Sequence, residues 1–402
     1  MLKIITGGIT APKGFKAAGV KAGLKKSGKL DLAIIYSTVP ASTAAVFTTN
    51  TMAAAPVIVS RQAVQNGTAS AVVVNSGCAN ACTGPQGLAD AQAMAHITAQ
   101  LLDIEDQEVI VSSTGIIGVN LQMDKIEAGI KQAVAQLDEK GYESATTAIM
   151  TTDTFPKSCA YEFELGGVPV RIAGIAKGSG MIHPNMATML CFITTDAAIA
   201  PPVLKQALTE AVNVSFNMIS VDGDSSTNDM TSVLANGLAG NALIDSIDCK
   251  DYAVLTAALT EVCIYLAKQV VHDGEGATKF LEITVQGAEN DVDAKKAVMA
   301  IAKSPLVKTA FFGEDANWGR ILCAVGYSEA AVDPEKISLA IGDVTIVKHG
   351  MGVAFDEKAL KDIMAEQDIT VTVDLCLGEA KATMWTCDFS YEYVKINGEY
   401  HT

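Results

Sequence analysis

The chain has 402 residues, 49% of them hydrophobic and 18% charged, with a mean hydropathy of +0.28. That length predicts more than one subdomain, and the composition excludes a disordered chain. Lys and Arg number 29 against 45 Asp and Glu, a net charge of -16, so nucleic acid and anionic membrane surfaces are excluded as partners and a small molecule or another protein is expected.

The nine cysteines (Cys78, Cys82, Cys159, Cys191, Cys249, Cys263, Cys323, Cys376 and Cys387) form no disulfide framework and no CxxC pair for zinc. The opening MLKIITGGIT lacks the charged and apolar regions of a signal peptide, and no run of 18 apolar residues is found. A cytoplasmic protein with reduced thiols is expected.

In chain order, strands are predicted at LAIIYS (32–37), AAVFTT (44–49), APVIVS (55–60) and AVVVN (71–75), each bounded by Pro, Gly, Ser or Asn. Helices follow at 86–102 and 122–137, the second with Ile126, Ile130, Val134 and Leu137 on one stripe. Tyr161, Phe163 and Leu165 alternate as in a half-buried strand. The second half adds helices at 202–216 and 251–271 and the alternating strands LEITV, ISLAI and ITVTVDL. Without a strict strand-helix rhythm, the pattern predicts α/β layers with mixed or antiparallel sheets rather than a doubly wound parallel sheet. No repeat or linker stands out, so the domain boundaries are soft.

SSTGIIG (112–118) follows the strand EVIVS and precedes a polar turn. Backbone N–H groups there, with the Thr114 hydroxyl, supply the ingredients of an oxyanion hole; a tight turn needing Gly and Ser is the alternative. GIAKGSGM (174–181) fails the spacing of a phosphate loop, which leaves Lys177 as a solvated loop cation. SVDGDSSTND (220–229) packs Asp222, Asp224 and Asp229 together, but Val233 stands where a calcium loop needs Glu. Asx turns and an N-cap for a helix after Asn228 are the better reading. Glu275, in VHDGEGATKF (271–280), is a general acid or base or a solvated loop residue. No GxSxG elbow accompanies the five histidines, and His183 reads as a loop histidine making backbone contacts.

KGSGMIHPNMATMLCFITTDA (177–197) places a Gly/Pro/Asn loop before Thr188 and an apolar run after it. This reads as a loop entering a buried strand or as a self-cleavage junction. In the second case the Thr188 hydroxyl attacks the Ala187 carbonyl, and the freed α-amine, with a pKa of about 8, can then serve as base.

Together GGITAPKGFKAAGV, AAVFTTN, NSGCANACTG, SSTGIIG, IMTTDTFPK, GIAKGSGMIHPNMATML, SVDGDSSTNDM, DGEGATK, FFGEDANWGRI and KINGEYHT run in order along the whole chain. In this set the chain resembles the ornithine acetyltransferases, also called glutamate N-acetyltransferases. The resemblance implies a precursor that cleaves itself between Ala187 and Thr188 into an α chain (1–187) and a β chain (188–402), interleaved in one catalytic unit. It implies an αββα-like sandwich with mixed sheets, of the self-cleaving aminopeptidase type, and an α2β2 heterotetramer. The implied reaction moves the acetyl group of N2-acetyl-L-ornithine to L-glutamate in arginine biosynthesis; some members also use acetyl-CoA, a co-substrate for which no binding motif is seen here. No cofactor or metal is implied.

Carried over, Thr188 is the nucleophile, Thr114 and Gly115 form the oxyanion hole, and Thr151 or Thr152, Lys177, Thr188, Glu275, Asn397 and Thr402 contact substrate. Cys78 and Ala316 depart from the family's usual Asn and Pro, and neither is one of these positions. An aminopeptidase or amidase on the same scaffold is the alternative activity, and an uncleaved binding protein a third reading.

Overall fold

The structure, a computed structural model, describes residues 2–183 and 189–399. Ala187, Thr188 and Thr402 lie outside the described residues. The strands are β1 (Lys3–Ile4), β2 (Phe15–Val20), β3 (Leu32–Phe47), β4 (Thr68–Cys78), β5 (Val109–Ile116), β6 (Lys157–Leu165), β7 (Val168–Lys177), β8 (Leu190–Thr195), β9 (Ile219–Ser220), β10 (Met230–Ala235), β11 (Phe280–Ala288), β12 (Ser338–Ile341), β13 (Val344–Lys348), β14 (Met351–Gly352), β15 (Asp368–Asp374) and β16 (Ala380–Cys387). The helices are α1 (Ala55–Ala63), α2 (Gly84–Leu102), α3 (Met123–Ala135), α4 (Tyr142–Ile149), α5 (Pro201–Asn213), α6 (Lys250–His272), α7 (Asp291–Lys303), α8 (Pro305–Phe312), α9 (Trp318–Gly326), α10 (Glu357–Ala365) and α11 (Tyr391–Gly398).

The described residues divide into two compact units. The first is drawn from the chain up to Asn217 and from Asp224–Val270, the second from Met218–Gly223 and from Val271 onward. The 187/188 junction falls inside the first unit, between β7 and β8, which pair with each other.

The first unit is built on one nine-stranded mixed sheet, in the order β1-β6-β7-β8-β10-β3-β4-β5 with β2 on β3. Its organising element is β3, whose register against β4 shifts between Tyr36 and Ala41, next to Pro40. Before the shift β3 pairs with β2 and β4; beyond it, residues 42–47 pair with β10. Side-chain alternation then sorts the residues onto two faces. Leu32, Ile34, Ala71, Val73, Val109 and Val111 join an outer core with α1, α2 and α3. Ala33, Ile35, Val72, Val74 and Ile110 join an inner core that also holds Ile175, Leu190, Phe192, Met230 and Leu234 from the other half of the sheet. The sheet thus folds over and packs on itself. On the far side Gly174 of β7 lies so close to Val262 and Leu266 of α6 that an added Cβ would sit 2.8 Å from each. Helix, sheet, sheet and helix follow in that order, the αββα arrangement with mixed pairing.

Helix α6 is long and apolar enough, by length and composition, to cross a membrane, but Leu255, Leu259, Val262 and Leu266 are buried, which is how a core helix behaves. One expectation is overturned: APVIVS is not a strand but the first part of α1. Pro56 sits in its first turn, where its missing N–H costs nothing and its fixed φ favours the helix. LAIIYS and AAVFTT are the two ends of β3 rather than separate strands.

The second unit holds a seven-stranded sheet in the order β14-β13-β12-β15-β11-β16-β9. β11 lies parallel to β15 and antiparallel to β16. None of the nine cysteines is paired.

Phe192 of β8 is 1% exposed in the inner core. Phe192→Ala is expected to cost about 3–5 kcal/mol, read as a lowered urea midpoint, and a cost under about 1 kcal/mol would contradict face-to-face packing of the two half-sheets.

Candidate active site

The end of β5 carries Thr114 and Gly115, which lie on the strand itself and not in the tight turn that was the alternative reading. They pair with Ser76 and Gly77 of β4, and the ladder becomes irregular there, with Cys78 opposite both Thr114 and Ile116. The reason is close backbone approach. A Cβ at Gly115, where φ is +133°, would sit 2.3 Å from the Gly77 carbonyl carbon, so only glycine fits. Buried side chains hold this strand end: the Ser113 hydroxyl donates to Asn75 Oδ1 at 2.6 Å, and Asn75 Nδ2 donates to the Cys78 carbonyl at 2.9 Å.

Lys177 ends β7 and is only 9% exposed. The solvated loop cation expected from its glycine-rich surroundings is therefore corrected: ladder pairing sets it directly opposite Leu190, two residues beyond Thr188. Its electrostatic neighbour is Asp153, buried in the turn that carries Thr151 and Thr152. The Asp153 carboxylate accepts from the Thr151 N–H at 2.9 Å, the Gly178 N–H at 2.7 Å and the Lys157 ammonium at 2.6 Å. Burial alone would raise this carboxyl, but the positive charges of Lys177 and Lys157 and the Gly178 N–H overcome it and hold it at about 2. The Thr152 and Ser179 hydroxyls bond each other at 2.6 Å. One carboxylate thus fixes both the threonine turn and the turn that follows Lys177.

Lys25, which no sequence pattern marked, reaches the same region. Its ammonium donates to the carbonyls of Leu30 and Met150, both at 2.7 Å, and its stem lies beside Gly77. Burial lowers this lysine, Asp31 partly offsets that, and repulsion from Lys177 adds to the lowering, leaving it at about 8. The loop before it is tied to Asp31, whose carboxylate accepts four backbone N–H groups, from Ala22, Gly23, Leu24 and Lys25.

The 220–229 acidic segment is not the cap of a helix: strand β10 begins at Met230. Asn228 Nδ2 donates to the carbonyls of Ala79 and Ser113, and the Met230 N–H donates to the Met189 carbonyl at 2.9 Å. Asp229 between them is fully buried, and burial pushes its carboxyl well above the usual range, toward the neutral acid. His183 is half-buried at the edge of the undescribed 184–188 stretch.

In the second unit, Asn397 of α11 donates to Glu275 Oε2 at 2.9 Å. The Ser390 hydroxyl, which caps α11, also donates to the Gly276 carbonyl at 2.6 Å and so joins the Glu275 loop to that helix. The structure therefore brings Thr114, Gly115, Thr151, Thr152 and Lys177 into the first unit and Glu275 with Asn397 into the second. Thr188 and Thr402 lie outside the described residues.

Asp153→Asn replaces the charged partner that the buried Lys157 ammonium bonds at 2.6 Å with a neutral amide and is expected to cost about 3–5 kcal/mol at pH 7. Because the folded-state pKa is depressed from 3.8 to about 2, the ionised carboxylate's contribution is present above pH 4 and is lost as pH falls through 2. Urea midpoints of wild type and variant should accordingly converge between pH 4 and pH 2; a constant gap would refute the assignment.

Residues 16–402 match the model of the ArgJ family. The arginine biosynthesis bifunctional protein ArgJ of Symbiobacterium thermophilum is 53% identical over 400 residues, covering 99% of each chain. That of Geobacter sulfurreducens is 52% identical over 393 residues, covering 97% of this chain and 99% of the relative. A crystal structure of the arginine biosynthesis bifunctional protein ArgJ from Bacillus halodurans matches with a TM-score of 0.51 and 44% identity, covering 52% of this chain and 98% of that one. The chain belongs to the ArgJ family.

Proposed function

We propose that this protein transfers the acetyl group of N2-acetyl-L-ornithine to L-glutamate, releasing L-ornithine and forming N-acetyl-L-glutamate for arginine biosynthesis. In this reading the precursor first cleaves itself between Ala187 and Thr188, and Thr188 then carries the acetyl group. The observation that carries the reading is the register of β8. Lys177 stands opposite Leu190 on one side, and on the other Met230 bonds Met189, two residues along from the Asn228 that grips Ser113. The segment immediately after Thr188 is thereby flanked by a buried cation and linked to the Thr114–Gly115 strand end.

The chemistry follows from these groups. The Thr188 hydroxyl attacks the acetyl carbonyl, its proton passing to the α-amine freed by cleavage. The Thr114 hydroxyl and Gly115 N–H stabilise the tetrahedral oxyanion. Collapse expels the ornithine amine, which takes up the proton, and leaves an acetyl-threonine ester; the glutamate amine then attacks the ester and restores the Thr188 hydroxyl. Glu275 serves as a further acid or base, and Lys177, Thr151 or Thr152, Asn397 and Thr402 hold the charged ends of the two amino acids. Ornithine leaves before glutamate enters, so the kinetics are ping-pong. Acetyl-CoA is an alternative acetyl donor, and an α2β2 heterotetramer the proposed assembly.

On denaturing gels the wild-type protein is expected to run as two bands of comparable size and Thr188→Ala as one. Wild type should consume acetylornithine far faster when glutamate is added, and Thr188→Ala should lose at least about 1,000-fold in kcat. Acetyl loss independent of glutamate would establish a hydrolase instead, and a single wild-type band would sink the cleavage step.

A further inference from the structure

The segment that the sequence pattern made a turn and helix cap, Thr227-Asn228-Asp229, is held on every side. The Ala54 N–H donates to the Thr227 carbonyl at 2.9 Å and the Thr48 N–H to the Asp229 carbonyl at 3.0 Å. Inside that frame the Asn228 side chain, 6% exposed, has its amide fully used. Nδ2 donates to the Ala79 carbonyl at 2.6 Å and to the Ser113 carbonyl at 2.8 Å, while Oδ1 accepts from the Thr227 hydroxyl at 2.6 Å.

The chemistry of this position admits few residues. Two carbonyls and one hydroxyl donor converge on one group, so the group must offer two N–H donors and one acceptor oxygen, as a side-chain amide does. Aspartate would set a carboxylate oxygen against both carbonyls, and alanine would leave two buried acceptors without partners. The Ser113 carbonyl belongs to the peptide plane that ends at the Thr114 Cα, so its direction fixes where Thr114 begins. Two residues beyond Asn228, at the start of β10, the Met230 N–H donates to the carbonyl of Met189, the neighbour of Thr188.

We infer that Asn228 is a positioning residue for acyl transfer: its side-chain amide locks the Ser113–Thr114 peptide and sets the Thr114–Gly115 strand end in register with the strand that begins after Thr188. This rests on the function proposed above, in which Thr114 and Gly115 stabilise the oxyanion in both self-cleavage and acetyl transfer. Misplacing such a donor by about 1 Å is enough to cost about 100-fold.

The test compares purified wild type, Asn228→Asp, Thr227→Val and Phe192→Leu, the last a core substitution that serves as a stability control. Two quantities are read: the half-time of precursor cleavage, and kcat per active site, with sites counted from the ornithine burst on mixing with acetylornithine alone. Asn228→Asp is expected to slow cleavage and kcat per site by about 100-fold, with KM for acetylornithine within about 3-fold of wild type. Thr227→Val, which only frees Oδ1, is expected to lose about 3- to 10-fold in the same two quantities. Phe192→Leu should lower the melting temperature and leave both unchanged.

A purely structural Asn228 would track the Phe192→Leu control in cleavage and in kcat per site, and that result overturns the inference. Should Asn228→Asp fail to fold, Thr227→Val decides alone, and unchanged rates there overturn it equally. Wild type that neither cleaves nor transfers acetyl overturns the proposed function itself, a result visible before any Asn228 variant is made.

Discussion

The register shift in β3 is the constraint on which the first unit depends. A 16-residue strand belongs to two half-sheets at once, and the interruption beside Pro40, which has no N–H to give to a ladder, lets the halves turn onto each other. Within the first unit, several of the candidate residues then stand at strand ends: the end of β5 with Thr114, the end of β7 with Lys177, and the starts of β8 and β10 beside them. The sandwich is a means of convergence. Its dry interior supplies the stability, while its rim supplies backbone groups and short polar side chains at fixed positions.

There, single side chains each hold two or more polar groups of the backbone. Asp153 binds two backbone N–H groups from different turns and one buried ammonium; Asp31 binds four N–H groups; Asn228 binds two carbonyls. The division follows charge. In these three side chains the carboxylates gather donors and a cation, and the neutral amide gathers acceptors, so each is matched to what it touches. Two further lysines, Lys25 and Lys177, repel each other enough to contribute to the lowered pKa of Lys25. An anionic substrate group bound between them would relieve that repulsion.

Much of this was legible in the sequence, and the rest was hidden for identifiable reasons. Long periodic segments such as 86–102, 251–271 and ITVTVDL formed helices and a strand where periodicity placed them. APVIVS misled because a short apolar run carries no period of its own, and Pro56 was the only local sign of a helix start. Lys177 was misjudged because its glycines say nothing of Asp153, 24 positions away in sequence and adjacent in space. Asn228 was passed over for the same reason: its partners stand 149 and 115 residues distant, and no local spacing encodes a contact of that range. The string around Thr188 was legible as a family resemblance, whereas turn chemistry by itself left cleavage and a plain loop both open.

The placement of β8 bears on what a severed peptide bond would do to the molecule. β8 lies after the junction yet is zipped to β7, which lies before it; β10, also after it, is zipped to β3. The two segments alternate within one sheet like the teeth of a clasp. Pulling them apart would mean tearing two full ladders and opening the inner core, a cost on the scale of unfolding the whole unit. Hydrolysis at 187/188 would therefore give two polypeptides by mass and one body by mechanics, with an exchange time between partners set by global unfolding rather than by any interface affinity.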